Sequence, residues 1–169
     1  MDNRVVVFTS GSWDMFHVGH LNVLQRSKAL GDVLIVGVST DELIQDYKGA
    51  PPVIPYEERY EIISNVKCVD LAVKQTVLTE IRQLQEHNID IVTIGDDWKG
   101  KYLPGLEWMK EKGEVVYLPY TPGVSTTSIK RKIIDNIYSV IAADLRRETE
   151  RPEEWKQKQM ALNGLHLTD

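Results

Sequence analysis

Cysteine is almost missing from this chain: Cys68 is the single one in 169 residues. One thiol can form neither an internal disulfide nor a cysteine-rich metal cluster. Its place beside Val66 and Val69 suits a buried structural thiol better than a nucleophile. No apolar run approaches the roughly 20 residues of a membrane helix, and no charged start with an apolar stretch behind it marks a signal peptide. Surplus positive charge is also lacking. Lys and Arg number 20 against 25 Asp and Glu, a formal net charge of −5, which argues against a general nucleic-acid binder. Any anion held here must be gripped by local groups. Internal repeats and low-complexity tracts are absent as well. Together these gaps fit a protein of the reducing cytoplasm, with neither membrane nor nucleic acid among its partners.

What is present has the make-up of a globular domain. Hydrophobic residues are 42% and charged residues 27% of the chain, enough for one sizeable core. Short β-rich apolar runs alternate with helical patterns, the mark of an α/β fold with a parallel sheet. The strand candidates are residues 4–9, 32–39, 70–73, 90–95 and 114–118. Helices are expected after the first strand, with Gly31 as a stop, over 56–66 behind Pro55, over 77–88 with Thr76 as N-cap, and over 105–112 before Gly113. A last core helix should start at Ser125, with Ile129, Ile133, Ile134 and Ile137 as core packing. Residues 46–54 read as a mobile loop. The chain is expected to divide into a domain over 1–140 and a polar accessory tail over 141–169, where Pro152 opens a short helix.

One segment stands out: Gly11-Ser12-Trp13-Asp14-Met15-Phe16-His17-Val18-Gly19-His20. It follows the first strand and puts two imidazoles at the start of a helix, where free N–H groups and the helix dipole favour anions. Gly11 is expected to let the turn bend, and Gly19 to let a ligand approach the backbone. Thr9, Ser10, Gly11, Ser12, Asp14 and Gly19 are therefore candidate nucleotide-binding residues. In an open parallel sheet the ligand lies beyond the carboxyl ends of the strands. The Gly95-Asp96-Asp97-Trp98 turn and the 120–127 loop fall on that same edge.

Residues 5 to about 135 resemble the small nucleotidyltransferases of the cytidylyltransferase type, most closely the bacterial glycerol-3-phosphate cytidylyltransferases. The matching pieces are Gly11–His20, Ser39-Thr40-Asp41, Lys48-Gly49, Glu58-Arg59-Tyr60, Gly95-Asp96-Asp97-Trp98 and Gly123-Val124-Ser125-Thr126-Thr127. The resemblance implies a Rossmann-like sheet with helices on both faces, a homodimer, and transfer of a cytidylyl group from CTP to a phosphate monoester with Mg2+. An adenylyltransferase of the same superfamily, using ATP with a sugar or flavin phosphate, and a non-catalytic nucleotide-binding module are the alternatives. One position departs from the pattern. The glycerol-3-phosphate enzymes carry Arg-Thr-Glu-Gly before the Ser-Thr-Thr stretch, and this chain has Tyr120-Thr121-Pro122-Gly123. A phenol in place of a guanidinium bears on the acceptor, or on how much phosphate binding this loop carries.

Such an acceptor is already mostly dianionic at neutral pH, with a second pKa near ~6, so its oxygen attacks without a general base. The site has to bring two anions together and spread charge at the α-phosphate. His17 and His20 are the choice for transition-state stabilisation. Zinc ligation by them lacks a third ligand, so no metal is assigned to protein side chains and Mg2+ travels with the triphosphate. By resemblance Lys48 reaches the phosphates as a point charge. Arg59 can fork onto phosphate oxygens, since no acid stands three or four residues away on its helix. Ser125, Thr126 and Thr127 offer hydroxyls at a helix start as a β/γ-phosphate cradle. Asp96 and Asp97 can meet the nucleotide or Mg2+, and Trp98 can shape the nucleotide pocket. Lys48, Arg59 and Tyr120 are the substrate-binding candidates. Asp14 either orients a substrate group or fixes the turn. Trp13 reads as structural, and Trp108 and Trp155 as packing residues.

Overall fold

The structure is a computed structural model describing residues 4–149 and 153–164. In chain order it contains β1 (Val6–Gly11), α1 (Val18–Lys28), β2 (Val33–Ser39), α2 (Asp41–Lys48), α3 (Tyr56–Ser64), β3 (Leu71–Gln75) and α4 (Ile81–Glu86). These are followed by β4 (Ile91–Gly95), a 3-10 turn (Asp96–Trp98), α5 (Pro104–Lys112), β5 (Glu114–Leu118), α6 (Thr126–Thr149) and α7 (Glu153–Leu162). The five strands form one sheet in the order β3-β2-β1-β4-β5, and every pairing is parallel. This is the expected Rossmann-like α/β sheet.

Alternation along the strands divides the core in two. Val7, Leu34, Val36, Val38 and Ala72 face Leu24 of α1 and Ile63 of α3. Phe8, Ile35 and Val92 face Leu84 of α4 and Leu106 and Met109 of α5. Both faces are covered, which is why β1 and β2 read as nearly unbroken apolar runs. Cys68 is half-buried against the first cluster, and burial pushes its thiol pKa up. Trp108 packs on the second cluster.

Several local expectations change. The segment read as a loop over 46–54 begins inside α2. Thr40 caps that helix by accepting the Leu43 N–H at 3.2 Å, and Gly49, at φ 74°, closes it. The helix expected over 77–88 shrinks to α4, with Glu80 rather than Thr76 before it. Thr79 sits at φ 48°, outside helical geometry, and its carbonyl presses against Gly105 in the first turn of α5. A Cβ at Gly105 would collide with that carbonyl. Strand ends shift by one or two residues, and α6 starts at Thr126, one past Ser125.

By compactness the chain divides into residues 1–126 and 127–169, so the boundary expected at 140/141 falls inside α6. In the second unit the isoleucine stripe is not core packing: Ile133, Ile134 and Ile137 are exposed, Ile134 by 67%. An apolar stripe marks a face worth covering and says nothing of what covers it. Trp155, expected to pack, is also exposed. Among the described residues, no helix is long and apolar enough to cross a membrane.

Candidate active site

The loop between β1 and α1 is held in an unusual shape by its own side chains. Trp13 and Met15 both adopt left-handed backbone, at φ 54° and 51°, where L-residues are disfavoured. Trp13 is buried and donates its indole N–H to the Gly37 carbonyl of β2 at 2.9 Å. Asp14 is buried too. Its Oδ1 accepts the N–H groups of Val53 and Ile54, each at 3.0 Å. The structure thus gives Asp14 the turn-fixing role: it straps the 49–55 loop to the histidine loop.

The two glycines act differently from expectation. A Cβ on Gly19 would stand 2.9 Å from the His17 ring, and one on Gly11 would stand 3.2 Å from the Trp13 indole. Each glycine makes room for a neighbouring ring of the protein.

His17 is the N-cap of α1, and its Nδ1 accepts the His20 N–H at 3.4 Å. With Nδ1 accepting, the ring proton sits on Nε2, which lies 3.5 Å from the Thr126 hydroxyl. The two imidazoles stack, centroids 3.8 Å apart and tilted by 13°. Trp13 meets the edge of His20 at 5.5 Å. His20 Nδ1 is buried with no partner. Burial first, then the charges of His17 and Lys48, push the His20 pKa down to about 4. Burial also lowers that of His17. Both rings are therefore neutral at pH 7.

That shift has a stability consequence. Folded His20 refuses a proton that the unfolded residue accepts below its ordinary 6.5. Stability is then lost as pH falls from 6.5 towards 4, by about 3 kcal/mol at 1.36 kcal/mol per unit. Urea unfolding of the wild type and His20→Gln between pH 7 and 4.5 should give a steeper decline for the wild type. Equal slopes would contradict this.

Lys48, at the end of α2, donates to Ser12 Oγ at 3.0 Å. Arg59 requires a correction. It is wholly buried, with Nε donating to the Ile54 carbonyl at 2.8 Å, one terminal nitrogen to the Ser12 carbonyl, and the other to Asp41 Oδ1 at 2.5 Å. Its fork is spent inside the protein, joining the histidine loop, the 49–55 loop and the start of α2. Its partner lies 18 residues away in sequence, beyond any search along its own helix.

Thr126 donates from Oγ1 to the Asp14 carbonyl at 3.0 Å, which brings the loop after β5 onto the histidine loop. Ser125 precedes it and is half-buried, whereas Thr127 is exposed and opens the second unit. Thr9 is buried and its hydroxyl donates to the Thr93 carbonyl of β4 at 3.2 Å, so its side chain is engaged within the sheet. Ser10 is half-buried. On the far side of β1, Asp96, Asp97 and Trp98 form the 3-10 turn after β4. Burial first, then the neighbouring Asp97 and Asp96 carboxylates, raise the Tyr120 pKa. Tyr120 thus stands with the acidic turn, while Lys48 stands with the histidines. Lys101 covers the Trp98 ring at 4.8 Å. Among the described residues no group of three or more His, Cys, Asp or Glu is placed to hold a metal ion.

The arrangement gathers two imidazoles, a lysine and a threonine hydroxyl around one helix start. The family profile described as Cytidylyltransferase-like matches residues 8–132, a span containing all of these residues. The chain belongs to the cytidylyltransferase-like family. Within it, the chain is 44% identical over 127 residues to a glycerol-3-phosphate cytidylyltransferase of Bacillus spizizenii, covering 74% of this chain and 94% of that protein. With the enzyme of the same name from Bacillus subtilis it shares 42% over 129 residues, covering 75% and 95%. Among solved structures, a lipopolysaccharide core biosynthesis protein from Thermoplasma volcanium superposes with a TM-score of 0.58 at 27% identity, covering 70% of this chain and 98% of that one. This cytidylyltransferase-like protein thus continues past the matched span into the rest of α6 and α7.

Sequence reading missed Asp41 as the partner of Arg59 and the anchoring of Trp13 on Gly37. Asp41 belongs to the Ser39-Thr40-Asp41 stretch, but no pattern in the chain announces the ion pair.

Proposed function

We propose that the protein transfers a cytidylyl group from CTP to a phosphate monoester, with glycerol 3-phosphate as acceptor, releasing pyrophosphate and a CDP-alcohol. The observation that carries this is the stacked His17–His20 pair at the start of α1, beside Thr126 and within the field of Lys48. The acceptor oxygen attacks the α-phosphorus in line, and the bond to the pyrophosphate oxygen breaks. Charge grows on the α-phosphate oxygens as this happens, and the imidazole N–H groups donate to them there. Binding an anion favours the charged imidazole, so CTP should raise both histidine pKa values from their depressed positions.

Lys48 leaves Ser12 for the phosphates, and Ser125 and Thr126 hold the β- and γ-phosphates. The base lies at the Asp96–Trp98 turn, with Tyr120 beside it. Arg59 and Asp14 act from behind, by fixing the loops that carry these groups. Mg2+ suits this donor set as an ion delivered by the triphosphate: it keeps several waters and needs only one or two carboxylates, which Asp96 and Asp97 can supply. When bound, it neutralises charge on the β- and γ-phosphates. By the same resemblance the working form is a homodimer in the cytoplasm.

Pyrophosphate release measured separately with CTP, ATP, GTP and UTP, each with glycerol 3-phosphate, tests the reading. CTP should exceed the others by at least about a hundredfold in kcat/KM, since a site built to hydrogen-bond one base rejects others strongly. ATP-only turnover would overturn it, and tight CTP binding without turnover would leave a nucleotide-binding module.

A further inference from the structure

The carboxyl edge of the sheet holds a second polar cluster, on the face opposite to α1. Ser10, Gly37, Ser39 and Gln75 follow Phe8, Ile35 and Val73 at even spacing, so all four belong to the face of the second core cluster. Gly37 is what lets them meet. A Cβ there would stand 2.9 Å from the Ser10 Cβ and 3.5 Å from the Gln75 carboxamide carbon. Side chains from β1 and β3 therefore close over β2 from both sides.

Gln75 is 1% exposed, and so is Ser39. The Ser39 hydroxyl donates to Gln75 Oε1 at 2.8 Å, and the amide nitrogen is the other end. Gln75 Nε2 is buried and has no hydrogen-bond partner. A buried donor left unpaired is costly, and here it is an amide held in place by a second side chain. Beside it Ser10 is half-buried, and Thr76, directly after Gln75, is exposed, so the cluster borders solvent. Through the sheet, the Gly37 backbone carbonyl accepts from Trp13, which packs in the first core cluster on the α1 face and meets His20.

We infer that Gln75 is a specificity-determining residue for the acceptor, its Nε2 donating to a hydroxyl oxygen on the alcohol part of the phosphate monoester. This rests on the cytidylyl-transfer reading. In that reading the base lies beyond β4 and the leaving pyrophosphate near Thr126. In-line attack then places the acceptor on the other side of the α-phosphate, towards β2 and β3. The ordered, unpaired donor on that side is Gln75 Nε2.

The test compares glycerol 3-phosphate with propyl phosphate, which has the same phosphate and no hydroxyls, in the wild type, Gln75→Leu and Gln75→Glu. Gln75→Leu removes the donor. Gln75→Glu also removes it while keeping an oxygen for Ser39, and so decides the matter should the leucine variant not fold. Wild type should prefer glycerol 3-phosphate in kcat/KM, and both variants should lose about tenfold of that preference. The KM for CTP should stay within about twofold. An unchanged preference in the variants, or none in the wild type, overturns the inference while leaving cytidylyl transfer intact. A wild type that makes no CDP-ester from either acceptor overturns the functional reading, and this inference with it.

Discussion

Replacing His20 by alanine should lower kcat by about 10²–10³ while changing the dissociation constant for CTP only a few-fold. The size is that of losing one preorganised donor to a developing oxyanion. The split between rate and binding follows from when the donor matters. A neutral imidazole with pKa about 4 adds little attraction for ground-state triphosphate, but its N–H gains strength as a donor when charge builds at the α-phosphate. His17→Ala should lose a similar factor. It should also lose about 1 kcal/mol of stability, because His17 caps α1 and a lost cap costs about that much. Turnover assays with calorimetric CTP titration check both. Near-wild-type turnover in either variant would remove that histidine from the chemistry.

The second large effect is on stability. Asp41→Ala should destabilise the protein by about 3 kcal/mol, the lower end for breaking a buried ion pair. The lower end applies because Asp41 keeps 37% of its side chain exposed while Arg59 has none. Removing the carboxylate strands a buried guanidinium with only carbonyl partners. The double variant Asp41→Ala/Arg59→Leu should recover part of the loss, since no unpaired charge remains. Thermal unfolding reads this as a drop of about 6–12 °C for Asp41→Ala, using 2–4 °C per kcal/mol. A drop under about 2 °C would show that the pair does not hold the loops together. Activity should fall too, because the Ser12 carbonyl and the 53–55 backbone lose their common anchor.

The parts of this protein that local pattern determines were legible in the chain. Alternating apolar runs gave the five-stranded parallel sheet, because burial on both faces leaves a continuous hydrophobic signature. The histidine segment lies after β1 and at the start of α1 as read, because position after a strand and before a helix follows from local sequence. What was not legible depends on partners distant in sequence. Arg59 looked unpaired because its helix offers no acid, and Asp41 comes from another element. Gly19 looked like an opening for a ligand, yet the His17 ring fills that space. Gln75 carried no motif at all. Only its burial, its bond to Ser39 and its idle amide nitrogen single it out. The isoleucine stripe of α6 shows the same limit from another side, since its periodicity fixed the helix and not its exposure.

The most direct measurement is mass-spectrometric identification of the products from CTP and glycerol 3-phosphate, in the wild type and in His17→Ala/His20→Ala. The wild type should form CDP-glycerol and pyrophosphate in equal amounts, and the double variant should form them at least about a hundredfold more slowly. Wild-type rates in the double variant, or no CDP-ester from the wild type, would contradict a reaction centre at the start of α1.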